Sequence, residues 1–223
     1  MPQKRRAPVR QSTAERIRHV SRARREKAKE ELSRNILQAA GALFLKHGYE
    51  GISMRQIAEK IGYSATTIYR HYENKDDLLF AIVYEGFVKF NQALGKASKV
   101  SGDPLSRLKS VCAAYVMFGL KNPIYYQLMF MQRFDFLFEK RSAQQAPMIA
   151  SFEVMQQIVT EAIQTGRLKR GDPETTSTVL WAVGHGITSL AIADPKRFSK
   201  RRLEEIMQVT MQMILSGLVD ARR

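Results

Sequence analysis

The chain has 223 residues, 44% of them hydrophobic, and a formal net charge of +15. This composition allows a sizeable core, and the absence of an apolar run near 20 residues argues against a transmembrane helix. One cysteine excludes an internal disulfide and fits a reducing cytoplasm. The cysteine and the four histidines show no metal-ligand spacing, so we expect neither a metal nor a cofactor.

Much of the positive charge lies in residues 1–29, which we call the N-terminal arm. Eleven of these residues are Lys or Arg and two are Glu, which gives the arm a net charge of +9. Such a block attracts a polyanion, with nucleic acid favoured over an anionic membrane, although it is also typical of a solvated, disordered tail. We expect the arm to be flexible or partly helical.

After residue 30 nearly all of the sequence has helical spacing. Apolar residues between Ile36 and Phe44 mark a first helix, which Gly48 ends. Ser53 then heads a second helix as a predicted N-cap, and Gln56 occupies the capping-box position.

Gly62 ends the second helix, and Ser64 caps a very short third helix that runs to about His71. Asn74 caps a fourth helix with a long apolar face. Asp-Pro pairs at 103–104 and 172–173 each place an N-cap before a proline. We predict further helices at about 104–120, 147–165, 173–192 and 199–218, which makes nine or ten helices and no strands.

The second and third helices are joined by "GYS", which has the spacing of a helix-turn-helix. In such a pair the second helix enters the DNA major groove. Short side chains at 65–67 let its backbone approach base edges, and residues 69–71 can reach flanking phosphates. The alternative is an ordinary helical bundle with half-buried tyrosines. We expect DNA contacts from Ser53, Arg55, Ser64, Ala65, Thr66, Thr67, Tyr69, Arg70, His71 and Lys75.

The stretch "GISMRQIAEKIGYSATTIYRHYENKDDLL" closely resembles the TetR family of bacterial transcriptional regulators. The resemblance runs from about Ile36 to Phe87, with Tyr63 and Tyr72 replacing the usual small aliphatic residue and phenylalanine. It implies an all-α protein, in which a three-helix helix-turn-helix module is joined through a fourth helix to a larger helical bundle. The bundle is expected to bind a ligand and to dimerise. We assign 1–29 to the arm, 30–85 to the DNA-binding domain, and 86–223 to the effector-binding and dimerisation domain.

Residues 105–165 are rich in aromatic residues and methionine, most of which must form a core. Methionine adapts to varied shapes, and pockets between bundle helices are common ligand sites. Trp181 and His185-Gly186 resemble the Trp…His-Gly signature of one C-terminal subgroup of the family, although such a histidine is more often a satisfied core residue. The candidate pocket residues are Tyr115, Phe118, Tyr126, Met129, Phe130, Phe152, Met155, Trp181 and His185.

The helices near 173–192 and 199–218 carry faces suited to a second subunit. Small residues form a ridge at Ala182, Gly186, Ser189 and Ala193, and the last helix has an apolar face. Packing within the chain is the alternative. Because a helix-turn-helix monomer reads only a half-site, we favour a homodimer through these two helices.

The module at residues 30–80 contains six basic and seven acidic residues. We therefore expect the arm to supply much of the attraction to DNA, and arms of this kind can place Arg side chains in a minor groove.

No enzyme motif is present, so we expect a non-enzymatic regulator. The predicted function is a cytoplasmic repressor of transcription that binds double-stranded DNA at a near-palindromic operator. A small apolar or aromatic effector is expected to release it. The alternative is a weakly specific architectural DNA-binding protein driven by its arm.

Overall fold

The computed structural model describes residues 13–132 and 146–218, and this part of the chain contains helices and no strand. The all-α prediction is confirmed. In chain order the helices are α1 (Thr13–His47), α2 (Met54–Ile61), α3 (Ala65–Tyr69), α4 (Lys75–Ala97), α5 (Pro104–Lys121), α6 (Pro123–Phe130), α7 (Ala146–Gln164), α8 (Pro173–Ala193) and α9 (Lys200–Leu218).

Five helices begin at side chains that satisfy the otherwise unpaired N–H groups of a first turn. Each capping side chain accepts a hydrogen bond from the backbone N–H three residues later, at 2.8 to 3.3 Å. Two of these five helices, α5 and α8, also start with proline, as does α6, because the missing N–H of proline costs nothing at that position. The capping residues are Ser53, Ser64, Asn74, Asp103 and Asp172.

Helix α1 begins well before the predicted start of the first helix. It is continuous from Thr13, so residues 13–29 of the arm are helical, while residues 1–12 lie outside the described residues. The sequence from 13 to 40 has no Gly or Pro and is rich in Ala, Arg, Lys and Glu, which are good helix formers. That propensity extends the helix where no apolar face required it.

Helix α4 belongs to both halves of the molecule. It packs against α1 on one side and against α5, α6 and α7 on the other. Its first half buries Leu78, Leu79, Ile82 and Val83 in the N-terminal module, and its second half buries Phe87, Phe90 and Leu94 in the bundle. One hydrophobic core therefore runs from the module into the bundle.

Helix α6 sits in a notch between α1 and α4 that two glycines create. A Cβ added at Gly41 of α1 would lie 2.7 Å from Cγ2 of Ile124, and one at Gly86 of α4 would lie 2.5 Å from Sδ of Met129. A larger residue at either position would require the facing side chain to move, so the two glycines favour direct contact of α6 with both the module and the connecting helix.

Candidate DNA-binding surface and effector pocket

The turn between α2 and α3 is fixed by caps on both sides. At the start of α2, Ser53 and Gln56 form a reciprocal capping box. At its end, Gly62 adopts the left-handed conformation with φ of 71°, and Tyr63 donates its N–H to the Ala58 carbonyl at 3.0 Å. Ser64 then caps α3, so the two helices meet in one defined orientation.

Helix α3 buries one side chain and exposes several. Ile68 is fully buried against the module core. Thr66, Tyr69 and Arg70 are exposed, and we call them the presented face. On α2, Arg55 is exposed as well. These four side chains are free to approach another molecule.

The other predicted contact residues of α3 are partly withdrawn. Ala65, Thr67 and His71 are half-buried. The Thr67 hydroxyl lies 3.0 Å from the Ser64 hydroxyl, and the Ser64 oxygen also accepts the Thr67 N–H at 3.2 Å. The hydroxyls of Ser53 and Ser64 are therefore engaged in capping, and that of Thr67 is held beside a cap.

Two contacts that sequence reasoning missed hold α3 and the start of α4 in place. The Tyr72 hydroxyl lies 2.8 Å from the Ser33 hydroxyl of α1, and burial raises the pKa of Tyr72. The Lys75 ammonium donates to the Tyr49 carbonyl at 2.8 Å, lies 4.0 Å from the centre of the Tyr49 ring, and pairs with Glu50 at 3.5 Å. With its side chain only 23% exposed, Lys75 joins α4 to the turn before α2.

The bundle contains a half-open cavity of about 300 Å³ beside α4. Six of the nine predicted pocket residues line it: Tyr115, Met129, Phe130, Phe152, Met155 and Trp181. The remaining lining residues are Phe87, Phe90, Leu94, Met148, Ser151 and Thr178. Among the residues that the structure describes, no charged side chain lines the cavity. The sequence showed that α4 has an apolar face, but it did not show that this face lines the cavity, because it does not say which helix the face meets.

Three predicted pocket residues lie behind the cavity wall and do not line it. Phe118 packs against Phe90, with ring centroids 5.0 Å apart. Tyr126 is fully buried, and its hydroxyl lies 2.7 Å from Nδ1 of His185. Their role is to support the wall, because the side chains that face the cavity pack against them.

A continuous polar chain runs along this wall from the cavity to the outer face of α8. Trp181 donates Nε1–H to the Tyr115 hydroxyl at 3.1 Å, which lies 3.0 Å from the Tyr126 hydroxyl. Nδ1 of His185 follows at 2.7 Å, and its Nε2 lies 3.4 Å from the Ser189 hydroxyl. Burial raises the pKa of both tyrosines and lowers the pKa of His185.

One assignment of hydrogens satisfies every member of this polar chain. The indole donates to Tyr115, each tyrosine donates to the next acceptor, and neutral His185 accepts at Nδ1 and donates from Nε2 to Ser189. The hydrogen-bonding groups of Tyr115 and Trp181 are thereby consumed within the protein. The cavity wall they form is effectively apolar.

The outer faces of α8 and α9 expose large apolar side chains. Leu190 is 58% exposed and Met213 is 69% exposed. A Cβ added at Gly186 or Gly217 would meet no atom within 4 Å, so both glycines face open space. Contrary to the sequence prediction, Pro173–Ala193 is long and apolar enough to cross a membrane by length and composition, and 22% of its most apolar stretch is buried.

Other candidate chemistry is sparse. Within residues 13–132 and 146–218, no group of three or more His, Cys, Asp or Glu side chains is placed to hold a metal ion. Burial raises the pKa of the Cys112 thiol to about 12, which suits a structural thiol.

The two halves of the chain match two family models. Residues 36–82 match the one described as bacterial regulatory proteins of the tetR family, and residues 108–214 match the one described as a tetracyclin repressor-like C-terminal domain. An exposed helix-turn-helix joined to a helical bundle with an apolar cavity defines a DNA-binding regulator of transcription. The chain belongs to the TetR family. Regulators of this family bind DNA and small-molecule ligands and dimerise, and the family is not enzymatic.

Individual relatives are more distant. The HTH-type transcriptional repressor KstR of Mycolicibacterium smegmatis is 29% identical over 97 residues, which is 44% of this chain and 48% of KstR, so the match spans about half of that relative. A Rhodococcus sp. RHA1 protein of unknown function superposes with a TM-score of 0.67 and 27% identity, over 85% of this chain and 96% of that one. AibR, solved with isovaleryl coenzyme A and operator DNA, shares the fold at a TM-score of 0.67 and 22% identity, over 81% and 96%.

Proposed function

We propose that this protein is a homodimeric repressor that reads a near-palindromic operator through α3 and is released by a small apolar or aromatic effector. The observation that carries the proposal is the path of packed side chains that α4 forms from the cavity to the helix-turn-helix. Helix α4 lines the cavity with three residues and buries four more in the DNA-binding module. Such a protein works in the cytoplasm, where its DNA is.

The presented face supplies the DNA contacts in this proposal. Thr66 offers a hydroxyl and a methyl group to base edges, and Tyr69 and Arg70 reach the flanking phosphates. Arg55 contacts the backbone or the groove edge from α2. Ser53 and Ser64 act through the caps that set the turn, and Lys75 positions the start of α4.

Ala65, Thr67 and His71 have a secondary place in this interface. Because these side chains are half-buried, they can contact DNA only when the α3 backbone lies close to the major groove. The small Ala65 side chain allows that approach, and Thr67 supports the Ser64 cap.

The effector class follows from the cavity wall. Phe, Tyr, Trp, Met and Leu side chains dominate the lining, and within residues 13–132 and 146–218 no charged side chain faces the cavity. A buried ionic group would lose its hydration without gaining a partner, so the ligand part that enters the cavity must be neutral and largely apolar. AibR, which shares this fold, was solved in complex with isovaleryl coenzyme A and operator DNA, so this fold can accommodate a small-molecule ligand and DNA together.

The homodimer is assigned to α8 and α9. A covered interface explains why the face holding Leu190 and Met213 is apolar and why Gly186 and Gly217 face open space. Small residues let two helices approach closely, and the second subunit supplies the second half-site reader. We assign the apolar face of α8 to a subunit interface and not to a membrane, because a helix-turn-helix regulator needs a second half-site reader.

Release requires that the cavity and the reading helices move together. The two copies of α3 must lie about 34 Å apart to enter successive major grooves. Met129 and Phe130 line the cavity from α6, and Ile124 of the same helix contacts α1 at Gly41. A ligand that displaces α6 therefore shifts α1 as well as α4, which disturbs the spacing.

Selection of bound duplexes from a random pool tests the reading function. The wild type is expected to enrich a near-palindrome, with a preference over random DNA of about a thousand-fold or more. Thr66→Ala should relax that preference at one or two base pairs, whereas the matched variant Thr67→Ala should leave the selected sequence unchanged and mainly weaken the α3 cap. Failure to enrich any sequence would favour the architectural alternative.

A further inference from the structure

The segment of α1 from Arg18 to Glu31 has no core beneath it. All of its side chains are exposed, and Leu32, which follows, packs against the core. At 1.5 Å per residue, the stretch from Thr13 to Glu31 extends about 28 Å beyond the module. Its exposed side chains contribute nothing to packing, so their pattern is free to serve another purpose.

Four basic residues of this segment form one row. Arg18, Arg22, Arg25 and Lys29 follow one another at intervals of four, three and four residues. With about 100° of rotation per residue, they leave the helix axis within about 60° of one another. The row, which we call the basic stripe, is about 16 Å long. Other basic residues of the segment, Arg24 and Lys27, lie on the opposite side.

The basic stripe is unfavourable for the helix by itself. Its members are like charges at i, i+3 and i, i+4, an arrangement that destabilises a helix in water. Glu26, four residues after Arg22 and three before Lys29, lies beside the row and offsets part of this repulsion, whereas Glu30 and Glu31 are turned away from the row. A polyanion along the row would offset the rest.

The basic stripe continues the side of α1 that faces the helix-turn-helix. Lys29, Ser33 and Ile36 are spaced i, i+4 and i+7, so they share one face. On that face the Ser33 hydroxyl lies 2.8 Å from the hydroxyl of Tyr72, just after α3, and Ile36 is fully buried in the module core. The stripe therefore extends the module-facing side of α1 beyond the module itself.

We propose that the basic stripe binds the phosphate backbone of duplex DNA beside the segment that α3 reads. It does so as a rigid helix, and not as a flexible arm threaded into a minor groove. About 16 Å of duplex axis carries about ten phosphates, which is ample for four cations. The proposal rests on DNA binding by the helix-turn-helix module, and it lengthens the DNA footprint beyond what a bare module of this kind covers.

Two double variants with equal loss of charge test this proposal. Arg22→Gln with Arg25→Gln removes two members of the stripe, and Arg24→Gln with Lys27→Gln removes two charges from the opposite side. The probe is a random-sequence duplex of about four helical turns, or 40 base pairs. Affinity is measured by fluorescence anisotropy between about 50 and 200 mM salt, and thermal unfolding confirms that both variants fold.

The stripe variant should reduce the slope of log affinity against log salt by about two units per bound subunit, since each phosphate contact contributes about 0.9. The opposite-side variant should change it by less than half a unit per subunit. Equal changes in the two variants, or no change in either, would overturn the proposal. So would loss of binding to phosphatidylserine vesicles with an unchanged DNA slope, because the partner would then be a membrane. Random DNA is used so that failure to find an operator, which would contradict the proposed function, leaves this test intact.

Discussion

Removal of the Tyr126 hydroxyl tests the polar chain behind the cavity. Tyr126 is fully buried, and its hydroxyl lies between the Tyr115 hydroxyl at 3.0 Å and Nδ1 of His185 at 2.7 Å. In Tyr126→Phe both neighbours lose that partner at once. A buried polar group left without a partner costs about 1 to 3 kcal/mol.

Another hydrogen bond can partly replace those lost in Tyr126→Phe. The Tyr115 hydroxyl is already 3.5 Å from Nδ1 of His185, so a small movement would let the two pair directly. We therefore expect a net destabilisation of about 2 kcal/mol. For a chain of this size that corresponds to a decrease of about 4 to 8 °C in melting temperature.

The adjacent tyrosine provides the matched control. The half-buried Tyr125 hydroxyl accepts from the Lys89 ammonium at 3.2 Å, and that ammonium also pairs with Glu85. Tyr125→Phe removes the same atom but leaves Lys89 a partner, so we expect less than about 1 kcal/mol. Calorimetric melting at about pH 7.5, where His185 is neutral, measures both variants. Equal decreases in melting temperature would refute the view that the polar chain stabilises the cavity wall.

Three further predictions concern Lys75, His185 and Cys112. Lys75→Gln should lower melting temperature and weaken binding to all DNA sequences alike, with a salt slope changed by less than about half a unit per subunit; a decrease near one unit would show a phosphate contact. Burial lowers the pKa of His185 below 6.5, so its contribution to stability is complete above about pH 6.5 and is lost as pH falls through the folded-state pKa. Melting temperature between about pH 7.5 and 5 should therefore decrease less in His185→Gln than in the wild type, and superimposable profiles would contradict this assignment. Because burial raises the pKa of Cys112 from 9.0 to about 12, the native thiol should react with Ellman's reagent at least about tenfold more slowly than the unfolded chain, and equal rates would contradict its burial.

The helix boundaries were the most predictable part of the fold. Ser53, Ser64, Asn74, Asp103 and Asp172 are local signals, since a cap bonds to a backbone group three residues away. The start of α1 was missed for the opposite reason. Its first half has no apolar stripe to indicate burial, and dense charge is also typical of a disordered tail.

The candidate site was predictable by residue type more than by orientation. Thr66 and Thr67 look equivalent in sequence, yet one is exposed and the other bonds to the Ser64 cap. Lys75 looks like a free cation until the fold brings Tyr49, 26 positions earlier, against it. Such distinctions depend on tertiary contacts that no local pattern contains.

The pocket shows the same limit. Aromatic and methionine content indicated a cavity lining between 105 and 165, but Phe87 and Phe90 come from α4, outside that range. The sequence around His185 made it a candidate ligand contact, but in the structure its Nδ1 lies within hydrogen-bond distance of the Tyr126 hydroxyl. A helical wheel identifies the apolar face of each helix, but it does not show which of these faces line a cavity and which pack against another helix.

Coupling between cavity and operator is the central claim, and Trp181 allows it to be measured directly. This residue is the only tryptophan, lines the cavity and is 37% exposed, so its fluorescence should report ligand binding. A neutral aromatic or acyl compound that binds the protein is first found by thermal-shift screening. It is then titrated into the protein alone and into the protein saturated with the operator that the DNA selection identified. A ligand that weakens DNA binding 100-fold needs about 2.7 kcal/mol of coupling, and the operator must then weaken ligand binding by the same factor. Equal ligand affinities with and without operator would contradict the account, however tightly the compound binds.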